Sequence, residues 1–404
     1  MFTDLLDDSP AQVIEASHSE SSLLDQASLA DRRGLLPQVP SSDLDVAVFG
    51  QLSDKVLQPR RCGGFEMSLH THIDTVAEIA RGCGSTAWCM GVIHAHSWLV
   101  GSFPQEAQAE SYGANPDAIV CAVIAPRGKA RAVAGGYRLD GFWPFASGCQ
   151  HADWLLLGTE IANEGGTVVD AAELLVPARD IVIRDDWNVV GLRGTGSCSI
   201  VANDVFVPKH RYLSLPGIIA GEAPGAAAHD TSLYKGAAVP VLVLAITPAA
   251  LGMAEAALAA FKERLPGREI AYTEHEIQID SPTTHRQVAD AATRIHVARL
   301  LLHRCADDIE AAAARGEMME FTARARVRMD CAHAVRQCME AAEILYLACG
   351  GSGIAETNPV QRPSSPSQAA GVRRRCRRLR CSLRPSTASV RATIKTSLFG
   401  ATLS

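Results

Sequence analysis

Between residues 118 and 212 the helical period is lost and the apolar side chains gather in short, strand-length runs, whereas on both sides of that stretch they recur at every third or fourth position. Such runs belong to strands and a period near 3.6 to helices, so the chain reads as helices, a block of strands, then helices again. Short apolar runs at 119–124, 136–139, 154–158, 173–176 and 200–207 alternate with Gly- and Asp-rich turns, which predicts an all-β insert of about 90 residues. Upstream, Leu69, Ile73, Val76, Ile79 and Ala80 predict a helix over 67–81, a second covers 85–100, and a third starts after Pro104. Downstream, helices are expected over 240–264, from Ser281 and Pro282 to 316 with the Ser281 hydroxyl as N-cap, and over 319–349, where Gly350 and Gly351 provide a stop. The fold class is therefore α+β, with a poorly ordered segment 1–40, a helical domain 41–117 that includes a helical reading of 41–51, a β-domain 118–212 and a helical bundle 213–362.

A chain of 404 residues exceeds what a single core serves, which agrees with several sub-domains. Its twelve cysteines form no CxxC pair and no metal-ligand spacing with histidine, and residues 1–19 lack the basic and apolar regions of a signal peptide. Reduced thiols in a cytoplasmic protein follow, and no stretch is read as a membrane span. The net charge of −6 is uneven, because residues 363–404 hold eight Arg, one Lys and no acid, which leaves −15 on the first 362. So acidic a body gives no general reason to bind nucleic acid.

Residues 191–197 read GLRGTGS and residues 203–208 read NDVFVP; upstream, 141–147 read GFWPFAS. Arg264, Gly267 and Ile270 follow an R-x-x-G-x-x-I spacing, and residues 350–353 read GGSG. These motifs, in this order, resemble those of the acyl-CoA dehydrogenase superfamily, which implies an N-terminal helical domain, a central β-barrel-like domain and a C-terminal helical bundle. The W-x-F-x-S form at Trp143–Ser147, the GSTAW block at 84–88 and the NPVQR run at 358–362 resemble its two-component flavin-dependent monooxygenases, such as the p-hydroxyphenylacetate hydroxylases. The resemblance implies reduced FMN or FAD as co-substrate, O₂, a flavin reductase partner, a small aromatic substrate, a C4a-hydroperoxyflavin and a homotetramer. Dehydrogenation of an acyl-CoA, the main alternative, needs a carboxylate base, and residues 232–253 contain no Asp or Glu. Oxygenation at nitrogen and an inactive, basic-tailed remnant also remain open.

By resemblance, Ser147 stands beside the flavin N5 and His96, eight residues after Trp88, stands on the substrate side, with His94 as a local rival. Imidazole suits acceptance of a phenol proton near neutral pH. Trp88, Trp143, Phe145 and Ala146 are implied to line the flavin, Thr195 and Ser197 to bond it, and Gly350 and Gly351 to approach it from a neighbouring subunit. Arg264 and Arg268 suit a phosphate, since guanidinium matches it in a bidentate fork. Each has a plainer reading: a core Trp, a turn hydroxyl, a helix-end cation or a helix stop. After Arg362 the family pattern stops, and the Arg- and Pro-rich run 363–404 has the composition of GC-rich DNA read out of frame. A catalytic-loop histidine and a last helix that the family carries would then be missing.

Overall fold

The computed structural model describes residues 55–189, 191–270, 273, 275–355, 358 and 360. The segments 1–40 and 41–51 and the basic tail 363–404 lie outside these described residues.

Among the described residues three α-helices come first: α1 (Leu69–Gly82), α2 (Gly84–Val100) and α3 (Gln105–Tyr112). Ser68 caps α1, its side chain accepting from Thr71 N–H. Then come β1 (Val120–Val133), β2 (Gly136–Trp143), β3 (Trp154–Ala162), β4 (Val168–Pro177), β5 (Val182–Arg184), β6 (Ser199–Pro208) and β7 (Tyr212–Ser214). They form one sheet in the order β5-β6-β2-β1-β3-β4-β7, antiparallel throughout except for the parallel pair β1 and β3. The sheet curls, since Tyr137 of β2 and Tyr212 of β7 stack with ring centroids 5.4 Å apart. The two faces therefore have different surroundings. Cys121, Leu155, Leu157, Leu174 and Val176 close on the sheet's own core, whereas Val120, Ala122, Leu156, Leu175 and Leu213 join the core built by the helices.

After β7 come α4 (Leu215–Ile219), α5 (Ala238–Ala245), α6 (Pro248–Arg264), α7 (Pro282–Ala314) and α8 (Phe321–Ala348). The helix expected over 240–264 is two helices. Pro248 has no N–H to continue the helical ladder, so the ladder breaks at Ile246 and Thr247, where Thr247 turns both its N–H and its hydroxyl to Leu244 O while its backbone stays helical. Ser281 precedes α7 as expected, but its side chain makes no cap hydrogen bond. α8 stops where expected, with Gly350 at φ 55°. By length and composition the stretch Ala238–Gly267 would suffice to cross a bilayer, contrary to the reading that nothing here resembles a span, yet most of it is buried inside the protein. Its apolarity is used in the core, where α6 crosses α1 closely.

That crossing depends on Gly252, where a Cβ would lie 1.8 Å from Ala77 O and 2.7 Å from Ala80 Cβ. Both obstacles are parts of α1 that move only with the helix, so Gly252→Ala is expected to cost about 1–3 kcal/mol through overpacking. The thermal midpoint should fall by several degrees; an unchanged midpoint would show that the crossing tolerates a methyl group.

Candidate functional site

β2 ends at Trp143, and the chain then turns sharply to Gly148. Phe145 has φ 70° and Gly148 φ 74°. Left-handed backbone costs a phenylalanine roughly 1–2 kcal/mol and persists only where its surroundings impose it. Here Ala146 N–H donates to Cys198 O at 3.0 Å, and Gly148 N–H donates to Thr195 O at 2.9 Å. The facing turn, Arg193–Thr195, is entered through Leu192 at φ 57° and left through Gly196 at φ 47°. Two strained turns are thus laced together, one from the 141–147 motif and one from the 191–197 motif.

Four side chains run across this junction. Trp88 Nε1 lies 3.1 Å from Ser147 Oγ, Ser147 Oγ 2.8 Å from Ser197 Oγ, Ser197 Oγ 2.6 Å from Thr195 Oγ1, and Thr195 Oγ1 2.9 Å from Leu192 O. The two ends fix the direction, because an indole nitrogen only donates and a carbonyl oxygen only accepts. Thr195 therefore donates to Leu192 O, Ser197 to Thr195, Ser147 to Ser197 and Trp88 to Ser147. Each hydroxyl proton in the chain is used within it, and such chains strengthen cooperatively. Ser147, Ser197, Thr195 and Trp88 are all buried, while Phe145 beside them is 40% exposed.

α2 carries Trp88 to this chain and His96, two turns further on, to the start of β1. His96 Nδ1 donates to Val120 O at 3.2 Å, so the neutral ring has Nε2 as its acceptor. His94 points elsewhere: its Nδ1 lies 2.9 Å from Nδ1 of His72, whose Nε2 donates to Ala245 O at 3.1 Å. Complete burial, and then the neighbouring His94, push the His72 ring down to about 3, so it is neutral. A neutral His72 with Nε2 protonated offers Nδ1 as acceptor, and His94 Nδ1–H donates to it.

The remaining sequence-predicted residues divide. Trp143 is fully buried in the sheet's own core, with its ring against Gly128 and Gly141 and its Nε1 donating to Gly158 O at 2.7 Å. Its indole is turned into that core, on the strand that leads into the turn. Ala146 is buried in the turn. Arg264 and Arg268 come together with Gly350 and Gly351 in a second group at the end of α8: Arg268 Nη2 donates to Cys349 O, and Arg264 Nη1 to Asn358 Oδ1 at 2.6 Å. Sequence reasoning missed Trp187 and the Leu192 carbonyl, where Trp187 Nε1 donates at 3.0 Å. A lone aromatic in an irregular segment carries no periodic signal.

Residues 244–364 match the family described as "Acyl-CoA dehydrogenase, C-terminal domain". The chain is 35% identical over 343 residues to the FADH(2)-dependent resorcinol hydroxylase, oxygenase component, of Rhizobium sp. (strain MTP-10005), covering 83% of each. It belongs to the flavin-dependent monooxygenases of the acyl-CoA dehydrogenase superfamily. The crystal structure of the 3-HSA hydroxylase from Rhodococcus sp. RHA1 superimposes on this monooxygenase with a TM-score of 0.80 at 30% identity, covering 95% of each chain. XiaF from Streptomyces sp., solved in complex with FADH2 and glycerol, gives a TM-score of 0.79 at 28% identity, covering 91% of this chain and 97% of that one. The acyl-CoA dehydrogenase alternative thus loses to the monooxygenase branch, in line with the carboxylate-free stretch 232–253, which forms α5 and the first turns of α6.

The junction of turns suits a flavin ring. An isoalloxazine presents flat apolar faces and a polar edge, and here an exposed aromatic side chain stands beside a chain of hydroxyls whose protons are already directed inward.

Proposed function

We propose that this monooxygenase hydroxylates a small phenolic or indolic compound, taking reduced FMN or FAD from a separate flavin reductase and working as a cytoplasmic homotetramer. The relatives support the substrate class by name, one being a resorcinol hydroxylase and another an indole-3-acetate monooxygenase. One observation of this chain carries the reading: the directed series from Trp88 through Ser147, Ser197 and Thr195 to Leu192 O, beside the exposed ring of Phe145. In this view the curled sheet of the 118–212 domain is a barrel-like clasp set between the helices α1 to α3 before it and α5 to α8 after it.

Bound reduced flavin would activate O₂ and give one oxygen atom to the substrate ring, the other leaving as water. The chain's own residues do the rest. Ser147 commits its proton to Ser197, so toward any outside N–H it acts as an acceptor, which suits the N5–H edge of a reduced flavin. Trp88 and Ala146 close the space around that hydroxyl, and Phe145 offers an apolar face to the ring. Thr195 and Ser197 hold the hydroxyl in place rather than reaching the cofactor first. Arg264 and Arg268, beside Gly350 and Gly351, suit the flavin phosphate of a neighbouring subunit.

His96 is the residue that would take the phenol proton. Its Nδ1–H is anchored on Val120 O, which directs the basic Nε2 away from the strand. His96→Asn should lower kcat/KM for an ionisable phenol by a factor on the order of 10²–10³, typical of general acid–base groups. Binding of reduced flavin should stay within about threefold. The test is product analysis with a panel of phenols and indoles, with reduced flavin supplied directly and then through a reductase. Absence of a ring-hydroxylated product across the panel, or an H96N variant as active as the parent, would contradict the proposal.

A further inference from the structure

We infer that Trp187 is a positioning residue of this site, acting through Phe145 and the Leu192 carbonyl to keep the Ser147 hydroxyl in line; this rests on the reading of the two turns proposed above. Trp187 lies just ahead of the 191–197 motif and is half-buried. Its side chain packs against the sheet's own core and, beyond that, makes two directed contacts, each with a strained residue. The indole N–H donates to the oxygen of Leu192, whose φ is 57°. The ring meets Phe145, whose φ is 70°, edge to face, with centroids 5.9 Å apart and planes at 89°. Perpendicular packing at this distance is a favourable arrangement for an aromatic pair.

The Leu192 oxygen is also where the hydroxyl chain ends. It takes Trp187 Nε1 at 3.0 Å, Thr195 Oγ1 at 2.9 Å and Thr195 N–H at 3.2 Å. A carbonyl has two lone pairs, so three donors on one oxygen are coupled: moving one changes the geometry of the others. Trp187 is therefore joined to Ser147 by two routes. One runs through Leu192, Thr195 and Ser197. The other runs through Phe145, whose carbonyl accepts the Ser147 N–H at 3.1 Å. The segment is pinned on its other side too, since Asp186 Oδ1 accepts Ser199 N–H at 2.8 Å. Hydrogen bonding by Ser199, from its side chain first and its backbone N–H after it, holds the Asp186 carboxyl below its ordinary range. A residue merely filling core would look like Trp98, which is buried among helices and donates to Leu233 O at 3.0 Å.

Trp98 accordingly supplies the control. Trp187→Phe keeps an aromatic ring against Phe145 but removes the N–H, and Trp98→Phe removes an equivalent N–H far from the turns. The full chain would be loaded anaerobically with reduced FMN or FADH₂, and affinity would be read from flavin fluorescence. Aerated buffer without substrate is then added and H₂O₂ release followed; in that side reaction reduced flavin and O₂ become oxidised flavin and H₂O₂. Thermal midpoints report the fold. Loss of one hydrogen bond corresponds to a factor of about 5–10. W187F should release H₂O₂ about tenfold faster than the parent, with its midpoint lowered no more than that of W98F, while W98F keeps the parent's release rate. Trp187→Leu, which loses the ring as well, should release it faster still and bind reduced flavin more weakly. W187F at the parent's rate, or W98F and W187F shifted alike, overturns the role of Trp187. A parent protein that fails to slow H₂O₂ release relative to free reduced flavin overturns the reading of the site and this inference together.

Discussion

Ser147→Ala should uncouple the enzyme, diverting reduced flavin to H₂O₂ and lowering the fraction of O₂ recovered in product by a factor on the order of 10², the size usual for loss of one preorganised polar group at a reacting centre. The physical reason is specific to this chain. Ser147 accepts from Trp88 and donates to Ser197, so alanine removes the oxygen that Trp88 addresses and the proton that Ser197 receives. Flavin affinity should change far less, because the ring of Phe145 and the arginines proposed for the phosphate, Arg264 and Arg268, remain. Ser147→Thr keeps a hydroxyl at the same position and should recover a large part of the coupling. The ratio of product to H₂O₂ is the measurement; an alanine variant as well coupled as the parent would remove Ser147 from the mechanism.

A second large effect concerns stability. Glu173, on β4, is fully buried and its two carboxyl oxygens have no hydrogen-bond partner among the described residues. Its strand neighbours across the sheet are Gly158 and Leu213, on the face that the helices cover. Burial pushes its carboxyl up to about 8. The folded protein therefore holds a proton that the unfolded chain gives up near 4.5, so this stability is complete below that value and is lost as pH rises through 8. His72 acts in the opposite sense. Pushed down to about 3, it contributes stability that is complete above 6.5 and lost as pH falls toward 3. Stability should thus peak in mildly acidic solution, between the two losses. Glu173→Met, close in volume and without charge, should abolish the alkaline decline and exceed the parent by about 4 kcal/mol at pH 9. Thermal midpoints of both proteins from pH 5 to 9 test this; parallel profiles would show that Glu173 keeps its charge in the folded state.

Much of this architecture was legible because it is periodic or punctuated. The switch from helical spacing to strand-length runs at 118 located the sheet, and the pair of glycines at 350 and 351 located the end of α8. Where a tertiary contact decides the outcome, sequence spacing was silent or misleading. Nothing in the run 173–176 marks Glu173 for burial; it is buried because the face it shares with Leu175 lies under the helices. β5 and β7, with three residues each, are too short to show a period. The break before α6 was marked by Pro248 and went unread because the apolar run continues through it. In the candidate site, Ser147, Ser197, Thr195 and Trp88 come from two motifs and a helix far apart in the chain, with a separation of 59 residues from Trp88 to Ser147 and 50 from Ser147 to Ser197; resemblance singled out all four, and the fold joins them in one hydrogen-bonded series. The direction of their hydrogen bonds, and the part of Trp187, exist only in the folded arrangement.

The central claim, that this chain delivers oxygen from O₂ with reduced flavin, is tested most directly by isotope. The protein is mixed anaerobically with reduced FMN or FADH₂ and a phenol, then exposed to ¹⁸O₂, and the product is weighed by mass spectrometry. One ¹⁸O atom in each molecule of hydroxylated product is the predicted result. Contradiction would be product without label, or unlabelled substrate recovered with all O₂ converted to H₂O₂ while an acyl-CoA bleaches the protein's oxidised flavin.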